Sequence, residues 1–328
     1  MSGTGLAPAV AIVGPTASGK TELALELARR HAAEIVNFDS VQVYRFLDIG
    51  SAKPSRAVRR EIPHHFVDHV APCDVYSAGE FSRDAKAVLA DLRERRTLPI
   101  LVGGTGFYLE ALLKGLFDGP PRDDALRRNL DESAARHADG HLWRMLARLD
   151  RAAADRIHPN DHPKLVRAIE VSVGGGRPMT EQWNQPRDSL RGYRVLLLGL
   201  DPPRDALNAR IDLRARRMFD EGLIEEVKGL LDRGIPESWR PLGSLGYAQC
   251  RRYLADECSL QEAVEATALK TRRYAKRQMT WFRNRAGEIR WLHGFGDKRG
   301  AWAWAEAEFR EWMASHSGQS EVECDAAP

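Results

Sequence analysis

The chain has 328 residues, 43% of them hydrophobic, and this length suits two domains or one domain with a large insertion. Its formal net charge of +3 means that any affinity for nucleic acid must come from local clusters of Lys and Arg, not from bulk charge. The four cysteines show no CxxC spacing, no apolar run is long enough to span a bilayer, and residues 1–8 lack the pattern of a secretory signal. We therefore expect a cytoplasmic protein that does not enter a membrane.

Four short apolar runs, rich in leucine or β-branched residues, predict buried strands. They lie at residues 9–14, 34–38, 98–103 and 194–200. Helical patterns separate the runs, which is typical of a parallel sheet with helices on both faces. We therefore predict an α/β fold with a parallel sheet flanked by helices.

The turn after the first predicted strand matches the phosphate-loop (P-loop) pattern GxxxxGK followed by Ser or Thr, and it opens a helix. The glycines let backbone N–H groups converge on phosphate oxygens, Lys20 adds a positive charge, and Thr21 can ligate Mg²⁺. An ordinary glycine-rich turn is the alternative, but the full pattern in this context favours a polyphosphate site. Its residues are Gly14, Pro15, Thr16, Ala17, Ser18, Gly19, Lys20 and Thr21.

An acid follows the second predicted strand. A P-loop hydrolase should carry an Mg²⁺-linked aspartate at the end of another apolar strand, but the third run ends in Gly103, Gly104 and Thr105. Asp39 instead ends the second run, and the carboxyl ends of strands face the crevice in which α/β sheets bind ligands. Position alone leaves two interpretations open, a turn cap or a functional carboxylate near the phosphates.

A long helical pattern between the third and fourth strands predicts an inserted all-helical domain. Leu126 and Leu130, then Leu142 and Leu146, recur at helical spacing, and segments rich in Gly and Pro flank the pattern. We place the P-loop catalytic core at residues 1–120 and 178–300, the insertion at 121–177, and a terminal helix with a disordered tail at 301–328.

Residues 269–285 form the densest basic stretch of the chain, with seven Lys or Arg and no acid. Tyr274, Trp281 and Phe282 are interleaved with the cations. This pattern favours a surface that binds a polyanion over a solvated face whose aromatic residues lie in the core. A nucleic acid held by about five phosphate contacts would lose on the order of a hundredfold to a thousandfold in affinity between low and physiological salt.

Together these stretches resemble the tRNA dimethylallyltransferase family, which prenylates the adenosine immediately 3′ of the anticodon. The resemblance spans residues 9–293. Two positions depart from the family pattern, since Phe46 stands where glycine is expected and Ser51 where threonine is expected, and these departures bear on substrate choice rather than on activity. The matching segments, in chain order, are GPTASGKT, DSVQVYRFLDIGSAKP, IPHHFVDHV, YSAGEFSRDA, LVGGTGFYLEALL, RIHPNDHPKLVRAIEV, RIDLRARRMFDEGLIEEV, LGYAQ and KRQMTWFR.

The resemblance implies a chemistry for the pocket. The loop would hold the diphosphate of dimethylallyl diphosphate, and Asp39 would accept the proton of the adenine N6 amine as the C–N bond forms. Lys20, the loop amides and Mg²⁺ bound by Thr21 would stabilise the charge on the departing diphosphate, with Arg214 as a further cation. Without the resemblance, Arg214 belongs equally well to a solvated stripe of arginines on its helix.

The resemblance also implies contacts with the tRNA anticodon stem-loop, from which the adenine must be extruded at a cost of a few kcal/mol. Arg128 is as plausible a contact as its neighbour Arg127, and the insertion would close over the stem as a movable arm. We expect a monomer with tRNA and dimethylallyl diphosphate as partners. The implied tRNA contacts are Asp39, Ser40, Val41, Gln42, Thr105, Arg127, Pro163, Lys164, Leu165, Val166, Arg167, Lys276, Arg277, Gln278, Trp281 and Arg283.

Three other functions share parts of this pattern. A small-molecule kinase would use a similar loop, acid and helical lid, but it leaves the basic C-terminal stretch unexplained. An isopentenyltransferase acting on free adenine nucleotides would share the core motifs without a reason to grip an RNA stem. An RNA-binding protein that senses ATP or GTP at the loop is the third alternative.

Overall fold

The computed structural model describes residues 5–117, 119–183, 187–285 and 288–315. The chain divides into two compact units, one formed by Met1–Leu113 with Leu190–Pro328 and the other by Lys114–Ser189. The predicted insertion, residues 121–177, falls within the second unit. The tail predicted to be disordered, residues 318–328, lies outside the described residues.

Within the described residues, the first unit is built on a six-stranded parallel sheet in the order β3-β2-β4-β1-β5-β6. The predicted α/β class and the four predicted strands are confirmed. The two edge strands escape sequence prediction because they have only two and three residues, too few for an apolar run to stand out. The strands are β1 (Ala7–Val13), β2 (Glu34–Asn37), β3 (His64–His65), β4 (Pro99–Val102), β5 (Tyr193–Leu200) and β6 (Arg290–Leu292).

Some of the described helices begin at side-chain capping groups. Ser77 and Glu80 form a reciprocal capping box at one helix start, and Asp161 caps another that has Pro163 in its first turn. Among the described helices, none combines the length and apolarity needed to cross a bilayer. The helices are α1 (Lys20–His31), α2 (Arg56–Glu61), α3 (Ala78–Glu94), α4 (Gly106–Lys114), α5 (Asp124–Arg136), α6 (His141–Leu149), α7 (Arg151–Arg156), α8 (His162–Gly174), α9 (Met179–Gln182), α10 (Arg204–Asp220), α11 (Leu223–Asp232), α12 (Tyr247–Leu254), α13 (Leu260–Arg285) and α14 (Arg299–Ser315).

The core of the first unit fixes the strand ends that carry the site. Ile12 of β1 and Leu198 of β5 are fully buried and pack in one cluster with Leu27 of α1 and Phe309 of α14. Burying side chains of this size stabilises the fold by roughly 1.5–3 kcal/mol each. The start of α1 is therefore held firmly against the central strands, and the apolar face of α14 is used in packing.

The second unit has a core of its own. Leu130 of α5, Leu142 and Leu146 of α6, and Leu165 and Ile169 of α8 are all buried in one apolar cluster. Their helical spacing in the sequence places them on the inward faces of their helices. The prediction of an inserted all-helical domain is confirmed.

Candidate active site

The P-loop turn joins β1, at the centre of the sheet, to the first residue of α1. Two of its glycines have positive φ angles, 141° at Gly14 and 88° at Gly19. A Cβ at Gly14 would lie 2.8 Å from the carbonyl oxygen of Leu200, and one at Gly19 would lie 2.7 Å from the backbone nitrogen of Asp297. Only glycine satisfies both the backbone angle and the close approach at these two positions.

Two cations converge on this loop. Lys20 Nζ donates to the carbonyl oxygen of Pro15 at 2.6 Å, and Arg214 Nη1 on α10 approaches Thr16 Oγ1 at 3.4 Å. Burial, and secondarily the neighbouring Arg214, lower the pKa of Lys20 to about 7. Burial likewise lowers the pKa of the Arg214 guanidinium. An anion bound in the loop would relieve the unfavourable proximity of these two positive charges.

Asp39 follows β2, and it has both of the features left open by its sequence position. Its Oδ1 accepts hydrogen bonds from the backbone N–H groups of Val41 at 2.9 Å and Gln42 at 3.2 Å, so it caps a turn. The residue also lines a pocket of about 840 Å³ that includes the P-loop, Lys20 and Arg214. The cap fixes the carboxylate at the carboxyl end of the sheet, which is where α/β folds bind ligands.

The turn after β4 is tied to the turn that carries Asp39. Thr105 Oγ1 accepts from the backbone N–H of Ser40 at 3.0 Å and donates to Ser40 Oγ at 3.1 Å. The polar Gly104 carbonyl of the same turn accepts from Gln278 Nε2 at 2.9 Å. These contacts hold the two strand ends together beside the P-loop.

The predicted tRNA contacts on α13 divide into two sets. Lys276, Arg277 and Arg283 are exposed, and Arg283 pairs with Asp201 at 2.7 Å. Gln278 is only 5% exposed, and both ends of its amide are hydrogen-bonded within the protein. The amide of Gln278 is therefore engaged within the protein, although the residue also lines the pocket, and its contact with tRNA stays a prediction.

Trp281 lies about one helical turn after Gln278 on α13. A Cβ at Gly106 would overlap the Trp281 indole, so glycine is needed there for α13 to approach α4. Trp281 also meets Phe107 edge-to-face, with ring centroids 6.3 Å apart. Its ring is thus half-buried in the contact between the two helices.

In the second unit, Arg127 and Arg167 converge on one buried carboxylate. Arg127 donates to both oxygens of Glu170 at 2.8 Å, Arg167 also donates to it, and the backbone N–H of Asp123 donates at 2.8 Å. Burial alone would raise the pKa of Glu170, but these hydrogen bonds outweigh it and lower the pKa to about 2. Both arginines therefore have a structural partner, whereas Arg128 lies exposed on α5.

The other predicted tRNA contacts in this unit, at the start of α8, include two exposed residues and two buried ones. Pro163 and Lys164 are exposed at the start of α8, where Lys164 pairs with the capping Asp161. Leu165 and Val166 are 1% and 4% exposed and belong to the core of the unit. Helical spacing turns both side chains inward, so the predicted contact of these two residues with tRNA would involve their backbone and stays a prediction.

A segment that sequence reasoning missed packs against the P-loop. The backbone N–H of Gly296 donates to the carbonyl oxygen of Ser18 at 2.9 Å. Arg210 of α10 pairs with Asp297 at 3.0 Å and lies over the ring of Phe295 at 3.6 Å from its centroid. The two glycines of the segment HGFG were the only sequence signal of such a close approach.

The site offers few protein ligands for a metal. Among the described residues, no group of three or more His, Cys, Asp or Glu is arranged to hold a metal ion. Thr21 lines the pocket beside the P-loop. Mg²⁺ commonly keeps several waters and binds through one or two protein oxygens together with substrate phosphates, so this donor set fits Mg²⁺ carried with a diphosphate.

The parallel sheet, the P-loop and the strand-end carboxylate in one pocket define a P-loop enzyme for a phosphorylated substrate. Residues 42–285 match the family model described as IPP transferase. The chain is 51% identical over 286 residues to the tRNA dimethylallyltransferase of Koribacter versatilis, covering 87% of this chain and 92% of that protein. It is 50% identical over 290 residues to that of Solibacter usitatus, covering 88% and 94%. The chain therefore belongs to the IPP transferase family, the family of the tRNA dimethylallyltransferases.

Solved structures show the same fold. The full-length tRNA isopentenylpyrophosphate transferase of Bacillus halodurans is 33% identical, with a TM-score of 0.68 over 94% of this chain and 99% of that one. A eukaryotic dimethylallyltransferase described as acting on tRNA is 26% identical, with a TM-score of 0.77 over 97% of this chain and 81% of that one. The architecture of the present chain is therefore that of the family over nearly its whole length.

Proposed function

We propose that this chain transfers the dimethylallyl group of dimethylallyl diphosphate to N6 of the adenosine immediately 3′ of the anticodon in tRNA, releasing diphosphate. Membership of the IPP transferase family supports this reaction. The observation that carries it is the placement of Asp39, Lys20 and Arg214 around one pocket. We also propose that the protein acts as a monomer.

The P-loop and its two cations hold the leaving group. As the bond between C1 of the dimethylallyl group and its oxygen breaks, the electron pair stays with the diphosphate, whose negative charge grows. Lys20 and Arg214 contact the P-loop, where that charge would develop, and the backbone N–H groups of such loops commonly bind phosphate oxygens. Bound diphosphate favours the protonated form of Lys20, so both positive charges would be in place before the bond breaks.

Asp39 takes the proton. The N6 nitrogen of adenine attacks C1, becomes positively charged as the new C–N bond forms, and then releases a proton to an Asp39 oxygen. Because the Val41 and Gln42 amides fix Oδ1, the orientation of the carboxylate is set before the substrate arrives. Thr105, which braces the same turn, supports this orientation.

Mg²⁺ is the cofactor that we propose, with the Thr21 hydroxyl as its protein ligand. When bound, the ion would neutralise charge on the diphosphate. This role depends on one hydroxyl and on substrate oxygens, so chelation should weaken diphosphate binding without unfolding the protein. Thermal unfolding in EDTA checks the second half of this expectation.

The exposed cations of α13 provide an RNA-binding face. Arg273, Lys276 and Arg277 are exposed along this helix, and the helix carries Tyr274 and Gln278 into the pocket lining. Substituting Lys276 and Arg277 together by Gln should lower tRNA affinity and reduce the salt slope of log Kd by about 2. Lys228→Gln on α11, an exposed lysine outside the pocket, is the matched control.

The reaction is tested by incubating the protein with dimethylallyl diphosphate, Mg²⁺ and unmodified tRNA, followed by mass analysis of the nucleosides. We expect N6-dimethylallyladenosine from the position 3′ of the anticodon. Equal transfer to free AMP would favour an enzyme acting on free nucleotides, and phosphorylated products formed from ATP would favour a kinase. Either result would contradict the proposed function.

A further inference from the structure

We propose that Gln278 is a positioning residue that sets the shape of the P-loop, and that it thereby joins the basic helix α13 to the diphosphate site. This role rests on the proposed function for its effect on catalysis, but its effect on diphosphate binding can be measured alone. Gln278 lies 262 residues from the P-loop in sequence and contacts it directly. Its role is distinct from the RNA contact that the sequence pattern implies.

The amide of Gln278 bridges two turns. Its Oε1 accepts the backbone N–H of Thr16 in the P-loop at 2.8 Å, and its Nε2 donates to the carbonyl oxygen of Gly104 at 2.9 Å. Because one partner can only donate and the other can only accept, the two contacts fix which end of the amide faces which turn. The side chain is 5% exposed, so a lost contact would leave a poorly solvated polar group.

Thr16 is the point at which this bridge reaches the anion site. Its N–H is held by Gln278 and its hydroxyl is approached by Arg214, so its backbone donor and its side chain both contact side chains from distant helices. A P-loop binds phosphate through backbone N–H groups that must converge within about 0.5 Å of their productive positions. Removing the Gln278 acceptor would release the start of the loop from that arrangement.

The opposite end of the bridge leads toward the proposed base. Gly104 adjoins Thr105, which is hydrogen-bonded to Ser40 beside Asp39. A Cβ at Gly104 would overlap Gln278 Nε2, so the close approach of the amide requires glycine there. One amide thus connects the turn that binds the leaving group with the turn that orients the proton acceptor.

The position of Gln278 on α13 gives the bridge a functional consequence. Lys276 and Arg277, which immediately precede it, are exposed on the same helix. An RNA bound to those cations would hold α13 in place, and through Gln278 it would hold the loop in its diphosphate-binding shape. We therefore expect tRNA to tighten diphosphate binding in the wild type, and this gain to be lost without the bridge.

The test compares Gln278→Met and Gln278→Asn with the wild type. Methionine removes both hydrogen bonds at similar volume, and asparagine keeps an amide that is one methylene too short to reach both partners. We expect both variants to bind inorganic diphosphate about tenfold more weakly, the effect of losing one or two buried hydrogen bonds. The dissociation constant for tRNA should change less than twofold in each.

Gln182→Met is the matched control, because Gln182 is a buried glutamine of the second unit whose Nε2 donates to the Val171 and Arg177 carbonyl oxygens. It should leave diphosphate affinity unchanged. Weaker tRNA binding by Gln278→Met with unchanged diphosphate affinity would overturn the proposal in favour of a direct RNA contact. Unchanged affinity for both ligands would show that the bridge has no positioning role.

The kinetic readout separates this proposal from the proposed function. If the wild type transfers the dimethylallyl group, Gln278→Met should raise the KM for dimethylallyl diphosphate and lower kcat, because loop and base are both displaced. A loss of diphosphate affinity in Gln278→Met, in a wild type that transfers no dimethylallyl group, would uphold the positioning role and refute the reaction. Wild-type kinetic constants in Gln278→Met would refute the positioning role alone.

Discussion

Arg127→Gln should destabilise the second unit, whereas Arg128→Gln should not. Arg127 donates two hydrogen bonds to Glu170, whose side chain is 2% exposed. Arg128 lies next to it on α5 and is exposed. The pair therefore separates an arginine that contacts a buried carboxylate from one whose side chain is exposed.

The loss of stability expected for Arg127→Gln can be derived from the pKa of the Glu170 carboxylate. The pKa of Glu170 falls from 4.5 to about 2 on folding, which corresponds to about 3 kcal/mol of stability from the network as a whole. Because Arg167 and the Asp123 amide remain, we expect Arg127→Gln to cost about 2 kcal/mol. The folded-state pKa is depressed, so this stability is present above pH 4.5 and is lost as the pH falls toward 2.

Hydrogen exchange measured by mass spectrometry provides the assay, since it reports α8 separately from the first unit. Arg127→Gln should shorten the protection of α8 by about thirtyfold at neutral pH, the equivalent of about 2 kcal/mol. Arg128→Gln should match the wild type. Wild-type protection of α8 in Arg127→Gln, combined with weaker tRNA binding, would refute the structural role and support the direct contact that the family pattern implies.

Two further predictions concern the pocket and its neighbourhood. Burial and Arg214 lower the pKa of Lys20 to about 7, so Lys20 loses its charge as the pH rises above that value. The binding of inorganic diphosphate in EDTA should therefore weaken by up to tenfold per pH unit between pH 7.5 and 9, relative to a Lys20→Arg control that stays charged. Parallel pH profiles of diphosphate affinity for the two proteins would contradict this prediction. Phe46, at the position where the resemblance leads us to expect glycine, has a φ of 68°, and the guanidinium carbon of Arg233 lies 4.6 Å from the centroid of its ring. Both Phe46→Gly and Phe46→Ala remove the ring, but only alanine keeps a Cβ in the left-handed region, so the glycine variant should be more stable by about 1 kcal/mol in urea unfolding. Equal stability of the two variants would refute the backbone strain that we infer at residue 46.

The features predicted from sequence were those encoded by local pattern. The P-loop needs two glycines, a lysine and a threonine at fixed spacing between an apolar strand and a helix, and all of these lie within one short segment. The buried strands are also predicted from local sequence, because strands covered on both faces are apolar throughout. The placement of Asp39 at a strand end also follows from the parallel sheet.

The features that sequence left open depend on long-range contacts. Gln278 reads as part of a basic surface, and only its burial against Thr16 and Gly104 reveals a bridge. Arg127 reads as one cation among many until the fold brings Glu170, 43 residues away, to face it. The residues that Gln278 and Arg127 contact lie far from them in the sequence, so no local pattern could identify these contacts.

Asp39→Asn tests the central claim most directly, because asparagine keeps an Oδ1 acceptor for the Val41 and Gln42 amides but cannot take a proton from N6. The measurement is the single-turnover rate of dimethylallyl transfer at saturating tRNA and dimethylallyl diphosphate, together with the affinity for each ligand. We predict a rate lower by roughly a hundredfold to ten-thousandfold, with both affinities within twofold of wild type. A rate equal to that of the wild type would contradict proton acceptance by Asp39 and with it the proposed mechanism.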